Sequence, residues 1–439
     1  MDLGVERFAY DSVARAGRLD GVTVNAPGLA LTAATLETGR DASGPALRGR
    51  VEVRRAEPRS LLRAVGIEYA TLDPGVLARL EGAADLRLIG QRLELSSLRL
   101  RLDDTQVEGR IAVAAAAARA FEFDLAADQL DIDRYRSPKP STPATPVSPA
   151  APPDAAGPPL DALRRLVIDG GLRVGQLTAF AVVWRDVRLQ LAARDGRLVV
   201  GPLTARAFGG SMSGTLRADV TGATPALRVE ASFDDVDVAA MLGQMIDVHR
   251  LSGRGRARTT VEARGQTQGA LLDSMRGKFE LSVTDGRFLG TDLWRELEVA
   301  LAVAQKKPPP GGDGSGVTEF SELRSRGTIA GRVLSNDRFD FSSAFLRVQG
   351  HGDVDFGRSR LDLDLSARLL KTPPGRLRGI KLSRLQGVDV PIDVTGPIAD
   401  PQVRPDVGAI VGTVVVDTVT DQVEQSVRKT LDRLLRKKK

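Results

Sequence analysis

The sequence predicts a mainly β protein: a long curled antiparallel sheet of repeated strand units forming a groove, with a few short α-helices and a C-terminal α-helix. Two observations carry this. First, apolar and charged residues alternate in stretch after stretch, as in Leu98 to Leu102 (LRLRL), Phe121 to Leu125 (FEFDL), Leu227 to Phe233, Phe339 to Phe341 and Leu361 to Leu365 (LDLDL). Successive side chains of a strand point to opposite faces, so each stretch has one dry and one wet face, whereas strands of a parallel sheet read as continuous apolar runs. Second, the stretches repeat. Aligning Leu93 with Leu198 superimposes Leu98 on Leu203, Gly109 on Gly214 and Ile111 on Leu216. A third, shorter copy runs from Phe339 to Phe356. Each copy reads strand, bend (Ser96-Ser97, Gly201-Pro202, Ser342-Ser343), strand, glycine-containing turn, strand. Such repetition suggests a sheet that grows by units.

Two segments punctuate the chain. Residues 137–159 are rich in Pro, Ala, Ser and Thr without an apolar period, and residues 306–316 (KKPPPGGDGSG) form a shorter linker. They divide an N-terminal unit (1–136), a middle unit with helices (160–305), a C-terminal β-rich unit (317–406) and a final amphipathic helix with a basic tail (407–439). Helices are expected at Pro58–Val65, which ends before a glycine, and at Asp73–Leu80, which carries a capping Asp and a first-turn Pro. Two more are expected at Gly269–Arg276 and Thr291–Gln305, and another at Asp417–Arg436.

Composition removes several classes of chemistry. The 439 residues include no Cys, which excludes disulfides, thiolate metal sites and cysteine nucleophiles. With only His249 and His351, a multi-histidine metal centre lacks ligands. Aromatics are 4% of the chain, too few for base-stacking platforms. The 62 Lys and Arg are interleaved with 56 Asp and Glu rather than gathered in one stripe, so nucleic acid is not an expected partner. No stretch approaches the roughly 18 apolar residues of a spanning helix, and the first residues do not read as a signal peptide.

No catalytic set emerges either. Gly209 to Gly214 (GGSMSG) misses the G-x-S-x-G spacing, and Gly253-Arg-Gly255 and Gly350-His-Gly352 lack a third glycine and a following helix. Asp353, Asp355, Asp362 and Asp364 are spaced to share a strand face, and the preferred reading is a solvated face opposite Val354, Phe356, Leu361 and Leu363, offset by Arg358 and Arg360. His249 reads as a surface or turn residue, and Trp184 and Trp294 as core or edge anchors. No enzyme, cofactor or metal is expected. The basic end of the last helix has two readings, complementing the helix dipole or touching anionic headgroups through Lys437, Lys438 and Lys439.

The order of several motifs resembles the AsmA family. In the first half these are Leu19 to Val24 (LDGVTV), Pro58 to Gly66 followed by Asp73-Pro74, and Leu130 to Tyr135 (LDIDRY) before the Pro-rich linker. In the second half they are Phe208 to Gly214, Leu251 to Gly253 with Leu271 to Gly277, Asp285 to Leu293, and Val390 to Gly396 with Pro405-Asp406. The resemblance implies an envelope protein, anchored in the inner membrane by one N-terminal helix and projecting into the periplasm. It also implies a role in outer-membrane biogenesis, related to bridge-like lipid transporters with an apolar groove. This chain lacks the anchor helix, and a truncated start is the expected explanation.

The residues and the resemblance together give the expected site. Leu98, Leu100 and Leu102, then Leu198, Val200 and Leu203, line an aliphatic groove for the acyl chains of phospholipid or another lipid. Ala344, Leu346 and Val348, with Leu361, Leu363 and Leu365, continue it. The alternative is an interaction scaffold for envelope-assembly proteins, in which the same faces close as an ordinary core.

Overall fold

In the computed structural model the described residues are 2–13, 15–41, 44–64, 68–114, 120–137, 164–290, 316–371 and 389–406, with the single positions 292, 295, 299, 302 and 308. The fold is mainly β. Among the described residues 22 strands belong to one mostly antiparallel sheet, and the chain separates into two compact units, described in turn. Unit 1 comprises residues 1–231 and 262–271, and unit 2 comprises 232–261 and 272–439.

Unit 1 begins with β1 (Asp2–Gly4) and β2 (Arg7–Asp11), which pair with successive parts of β3 (Ala16–Ala26). From β3 an antiparallel meander runs through β4 (Leu29–Asp41), β5 (Gly44–Ala56), β6 (Leu80–Ile89), β7 (Arg92–Leu102) and β8 (Thr105–Ala114) to β9 (Ala120–Asp131). A second meander joins β10 (Val167–Ala179), β11 (Val182–Arg194), β12 (Arg197–Ala207) and β13 (Gly210–Asp219). The turns match the strands' twist. Asp195-Gly196, between β11 and β12, takes positive φ at both residues (51° and 73°), the form that two-residue hairpins favour.

Next come β14 (Ala226–Asp237) and β15 (Leu251–Arg264), in which the division between the units falls. Unit 2 then runs through β16 (Arg276–Leu289), β17 (Val317–Ala330), β18 (Val333–Ser342), β19 (Leu346–Asp355), β20 (Arg360–Leu369), β21 (Asp389–Pro397) and β22 (Gln402–Pro405), each from β17 onward antiparallel to the one before. Among the described residues the helices are α1 (Pro58–Ala64), α2 (Ile132–Tyr135), α3 (Val238–Ile246) and α4 (Gln268–Asp273). Among the described residues, the contacts within each unit run chiefly between adjacent strands, and no second sheet packs over either face.

The structure corrects the expected arrangement at several points. One ladder is parallel, β9 with β10 from Ala120↔Val167 to Asp131↔Thr178. A parallel pair needs a long crossover, and the Pro-rich stretch lies within that connection. Residues 73–79 form turns rather than a helix, because the Asp103 carboxylate takes the N–H groups of Leu77, Ala78 and Arg79 and delivers the chain into β6. In the third copy the irregularity falls between Asn336 and Phe339, inside β18, not at Ser342-Ser343. The helix at Val238–Ile246 was not expected. Asp237 caps it, accepting the Ala240 N–H at 3.0 Å. The C-terminal helix and Trp294 lie outside the described residues, as does most of the expected Thr291–Gln305 helix.

Candidate functional site

The ladders decide which side chains share a face, since directly paired residues of adjacent strands point the same way. In β7 a bulge between Leu95 and Leu98 absorbs one residue, so Leu93, Leu95, Leu98, Leu100 and Leu102 all lie on one face. β12 repeats the device between Val200 and Leu203, at the cis Gly201-Pro202 bond, and keeps Leu198, Val200 and Leu203 together. The paired positions then connect across unit 1 as one row. It runs Phe8, Leu19, Leu36, Gly49, Leu86 and Leu95, and continues through Ile111, Phe123, Gly170, Leu191, Val200 and Leu216. Every member from β2 to β13 is apolar or glycine. Of its apolar side chains only Leu36 is buried; Phe8 is 63% exposed and the others are half-buried. Two small clusters interrupt the face, one around Val22, Ala33 and Leu36 and one around Val174, Val187 and Ala205 with Leu203 and Trp184.

The opposite face of unit 1 is charged and paired across strands. Arg92 meets Glu122 at 2.7 Å, Arg173 meets Asp124 at 3.3 Å and Arg50 meets Asp85 at 3.3 Å. Thr35 and Arg18 hold the Asp20 carboxyl below its usual range by donating hydrogen bonds to it. These exposed pairs keep that face in water and add little stability. At the end of β7 a polar corner closes the sheet edge: Arg134 bridges Asp73 at 2.8 Å and Asp104 at 2.9 Å. Tyr135 donates to Asp103 at 3.1 Å. Burial beside that carboxylate pushes the Tyr135 phenol up to about 12.

Unit 2 presents the same kind of face, but graded along the strands. At one end the row Val283, Leu323, Phe341, Val348, Ala367 and Val390 is no more than 5% exposed at any position. Val238 and Leu242 of α3 pack on this cluster, and the rings of Phe288, Phe320 and Phe341 meet with centroids 5.2–5.9 Å apart. Toward the other end Ile329, Leu334, Val354 and Leu361 are half-buried.

The expected groove residues therefore fall into distinct settings. Leu98 is buried at 3% exposure, while Leu100, Leu102, Leu198, Val200 and Leu203 are half-buried on the unit 1 face. Leu346 and Val348 belong to the sealed cluster of unit 2, and Leu365 packs against it. Leu361 and Leu363 lie on its half-buried part. Ala344 is a correction: it sits exposed in the bend between β18 and β19, where Ser343 closes on Leu346, and lines no strand face. Asp353 and Asp362 pair directly and are exposed, while Asp355 accepts the Arg358 N–H at 2.9 Å. His249 is exposed beside Asp247. Lys437, Lys438 and Lys439 lie outside the described residues. What sequence reasoning missed is Asn336, a buried polar residue on the apolar face of unit 2. No motif surrounds it, and its sole signal is an uncharged polar residue where the other copies carry Leu95 and Val200.

The AsmA family model matches residues 71–330, more than half of the chain. The chain belongs to the AsmA family. A search of curated proteins finds no match to it. The matched span covers the repeated hairpins of β7–β8 and β12–β13, two of the three bulged, one-sided copies; the third, β18–β19, follows it.

Proposed function

We propose that this AsmA protein is a non-catalytic carrier whose apolar sheet face holds the acyl chains of phospholipid, or a similar lipid, on their way between the inner and outer membranes. The single observation that supports it is the unit 1 row: twelve consecutive strands place aliphatic, aromatic or glycine positions side by side, most of them half-buried, with no second sheet over them among the described residues. An unpartnered apolar face of that extent is unfavourable in water, and an acyl chain laid along it recovers about 0.8 kcal/mol per methylene buried. The row carries no charged side chain, so it grips chains without selecting heads. The periplasm is the compartment in which such a carrier works, and outer-membrane biogenesis is the process it serves.

The test is native mass spectrometry and lipid extraction of the purified protein against Leu100→Asp. Leu100 is half-buried between Gly82 and Val107, so a carboxylate there stays hydrated and leaves the ladders intact. Bound lipid is expected in the parent and strongly reduced in the variant. Equal lipid in both, or none in the parent, overturns the proposal. A second reading, a scaffold that docks envelope-assembly proteins, is favoured by the sealed cluster of unit 2, where the protein's own phenylalanines fill the face.

A further inference from the structure

In unit 2 one polar atom has no explanation in the fold. Asn336 is 8% exposed, and its side-chain oxygen Oδ1 is buried without a hydrogen-bond partner. Native interiors rarely leave such an acceptor unpaired, because it gives up water and gains nothing in exchange. Turning the carboxamide over does not help, since it buries the NH2 group in the same place.

The surroundings are unusual as well. Asn336 stands on the apolar face, paired with Gly327 on one side and Gly352 on the other. In the other two copies the register-equivalent residues are Leu95, opposite Ile111, and Val200, opposite Leu216. The third copy has thus exchanged a pair of aliphatic side chains for an amide beside a glycine. A Cβ at Gly327 would overlap the Ser335 carbonyl oxygen, and one at Gly352 the Asp362 carbonyl oxygen, so neither neighbour can grow a side chain to satisfy or cover the amide. The next row toward the sealed end brings Ser325 and Gly350 alongside, flanking Phe339. The result is a buried polar position on a largely apolar face, at the boundary between the sealed and half-buried parts of unit 2.

We infer that Asn336 receives a neutral hydroxyl group of the bound lipid, a step that rests on the carrier reading above and names the chemistry of its cargo. The atom that needs a partner is an acceptor, so the ligand must donate. An ammonium would bring a full charge to a face whose paired positions from β16 to β21 include no carboxylate, and desolvating it there is costly. A hydroxyl donates to Oδ1 without that cost, and its own oxygen can accept from the same carboxamide's NH2 or from water. Unit 2 then works as a register point. Chains pass along the aliphatic face, and a hydroxyl pauses at Asn336.

The same chemistry is offered by a hydroxylated acyl chain and by a glycerol head, and two matched pairs separate them. The full-length protein is loaded with a fluorescent fatty acid and challenged with palmitate against 3-hydroxypalmitate, and with methyl palmitate against monopalmitoylglycerol. Hydrogen exchange of β17 to β19 reports occupancy of unit 2. The hydroxylated member of at least one pair should displace the probe and protect these strands about three- to tenfold more effectively, the range one neutral hydrogen bond provides. Asn336→Leu should erase the difference while keeping palmitate binding. Because Leu95 and Val200 occupy the equivalent positions, Asn336→Leu or Asn336→Val is compatible with the fold, and whichever expresses better serves. Palmitate binding without any preference for a hydroxyl, or a preference that survives both substitutions, overturns the inference while leaving the carrier role standing; a bound water then accounts for Asn336. If none of the four compounds displaces the probe, the carrier role itself fails.

Discussion

Two leucines of one strand-alternation pattern should respond in opposite ways to the same substitution. Leu346 opens β19 opposite Leu369, both are at most 4% exposed, and they lie in the cluster with Phe341 and Val348. Leu363 sits on β20 of the same face but half-buried, between Gly352 and Val394. Replacing Leu346 with Asp forfeits about 1.5–3 kcal/mol of apolar burial and adds several kcal/mol for an unpaired carboxylate in a dry interior. Arg347, the neighbouring cation, points to the opposite face, so nothing neutralises the charge. The sum exceeds about 5 kcal/mol, which is the whole stability of many domains. At Leu363 water still reaches the site, and the loss is about 1 kcal/mol of partial burial. Hydrogen exchange of peptides from β16 to β21 distinguishes the outcomes: Leu346→Asp should collapse protection across the set, and Leu363→Asp should leave it near the parent's while lowering bound lipid. Equal protection in the two variants would refute the division of unit 2 into a sealed and an accessible part.

Two further expectations concern unit 1. Gly109 has φ near +141°, and a Cβ there would overlap the Asp124 carbonyl oxygen, so Gly109→Ala should lower stability by at least about 1–3 kcal/mol, whereas Gly39→Ala, with open space at its Cβ and an ordinary φ, should not. Urea midpoints of the two variants check this, and equal shifts would show that β8 and β9 are not held at the paired distance. Acid should loosen the corner at α2. Asp73 is held below 3.8 by the Gly75 N–H and then by Arg134, and Asp133 by the N–H of Ala181. Carboxyls depressed in the folded state stabilise it above their unfolded value and lose that contribution as pH falls through the lower folded value. Stability measured from about pH 5 downward should therefore begin to fall near pH 4 and continue below it, with a shallower fall in Asp73→Asn together with Asp133→Asn.

Much of the fold was legible because a single-layer sheet with one wet face writes its period directly into the chain. The alternation at Leu98 to Leu102 and at Leu361 to Leu365 places those leucines together on a face because nothing but strand pleating decides it. The repeat was legible where a bulge carries a recognisable bend. Leu98 opposite Gly109 and Leu203 opposite Gly214 are the very positions that the alignment superimposed. The third copy was misjudged by composition. Its Ser342-Ser343 imitates Ser96-Ser97, yet the structural equivalent is Phe339 opposite Gly350, with the bulge at Asp337-Arg338. The parallel ladder and the turn at 73–79 depend on contacts distant in sequence, Val167 with Ala120 and Asp103 with Leu77, and no local pattern encodes them.

The two apolar faces carry side chains of different volume at equivalent register positions. Where unit 1 has Leu98 and Leu203 opposite a glycine, unit 2 has Phe339, and where unit 1 has Leu100 and Ala205, unit 2 has Phe341. In unit 2 the rings of Phe341, Phe288 and Phe320 meet, and with α3 packed on them they exclude water from their end of the unit. Unit 1 buries its equivalent positions without such rings, Leu98 at 3% and Ala205 at 6% exposure, and its half-buried stretch is the row through Leu95 and Val200. The bulge marks the change in all three copies: Leu93, Leu95, Leu198, Val200 and Leu334 on one side of it are half-buried, and the buried Leu98, Ala205 and Phe341 lie on the other. Asn336 stands next to the bulge itself, buried where its register equivalents Leu95 and Val200 are half-buried, so the third copy alone places a buried polar group at that line.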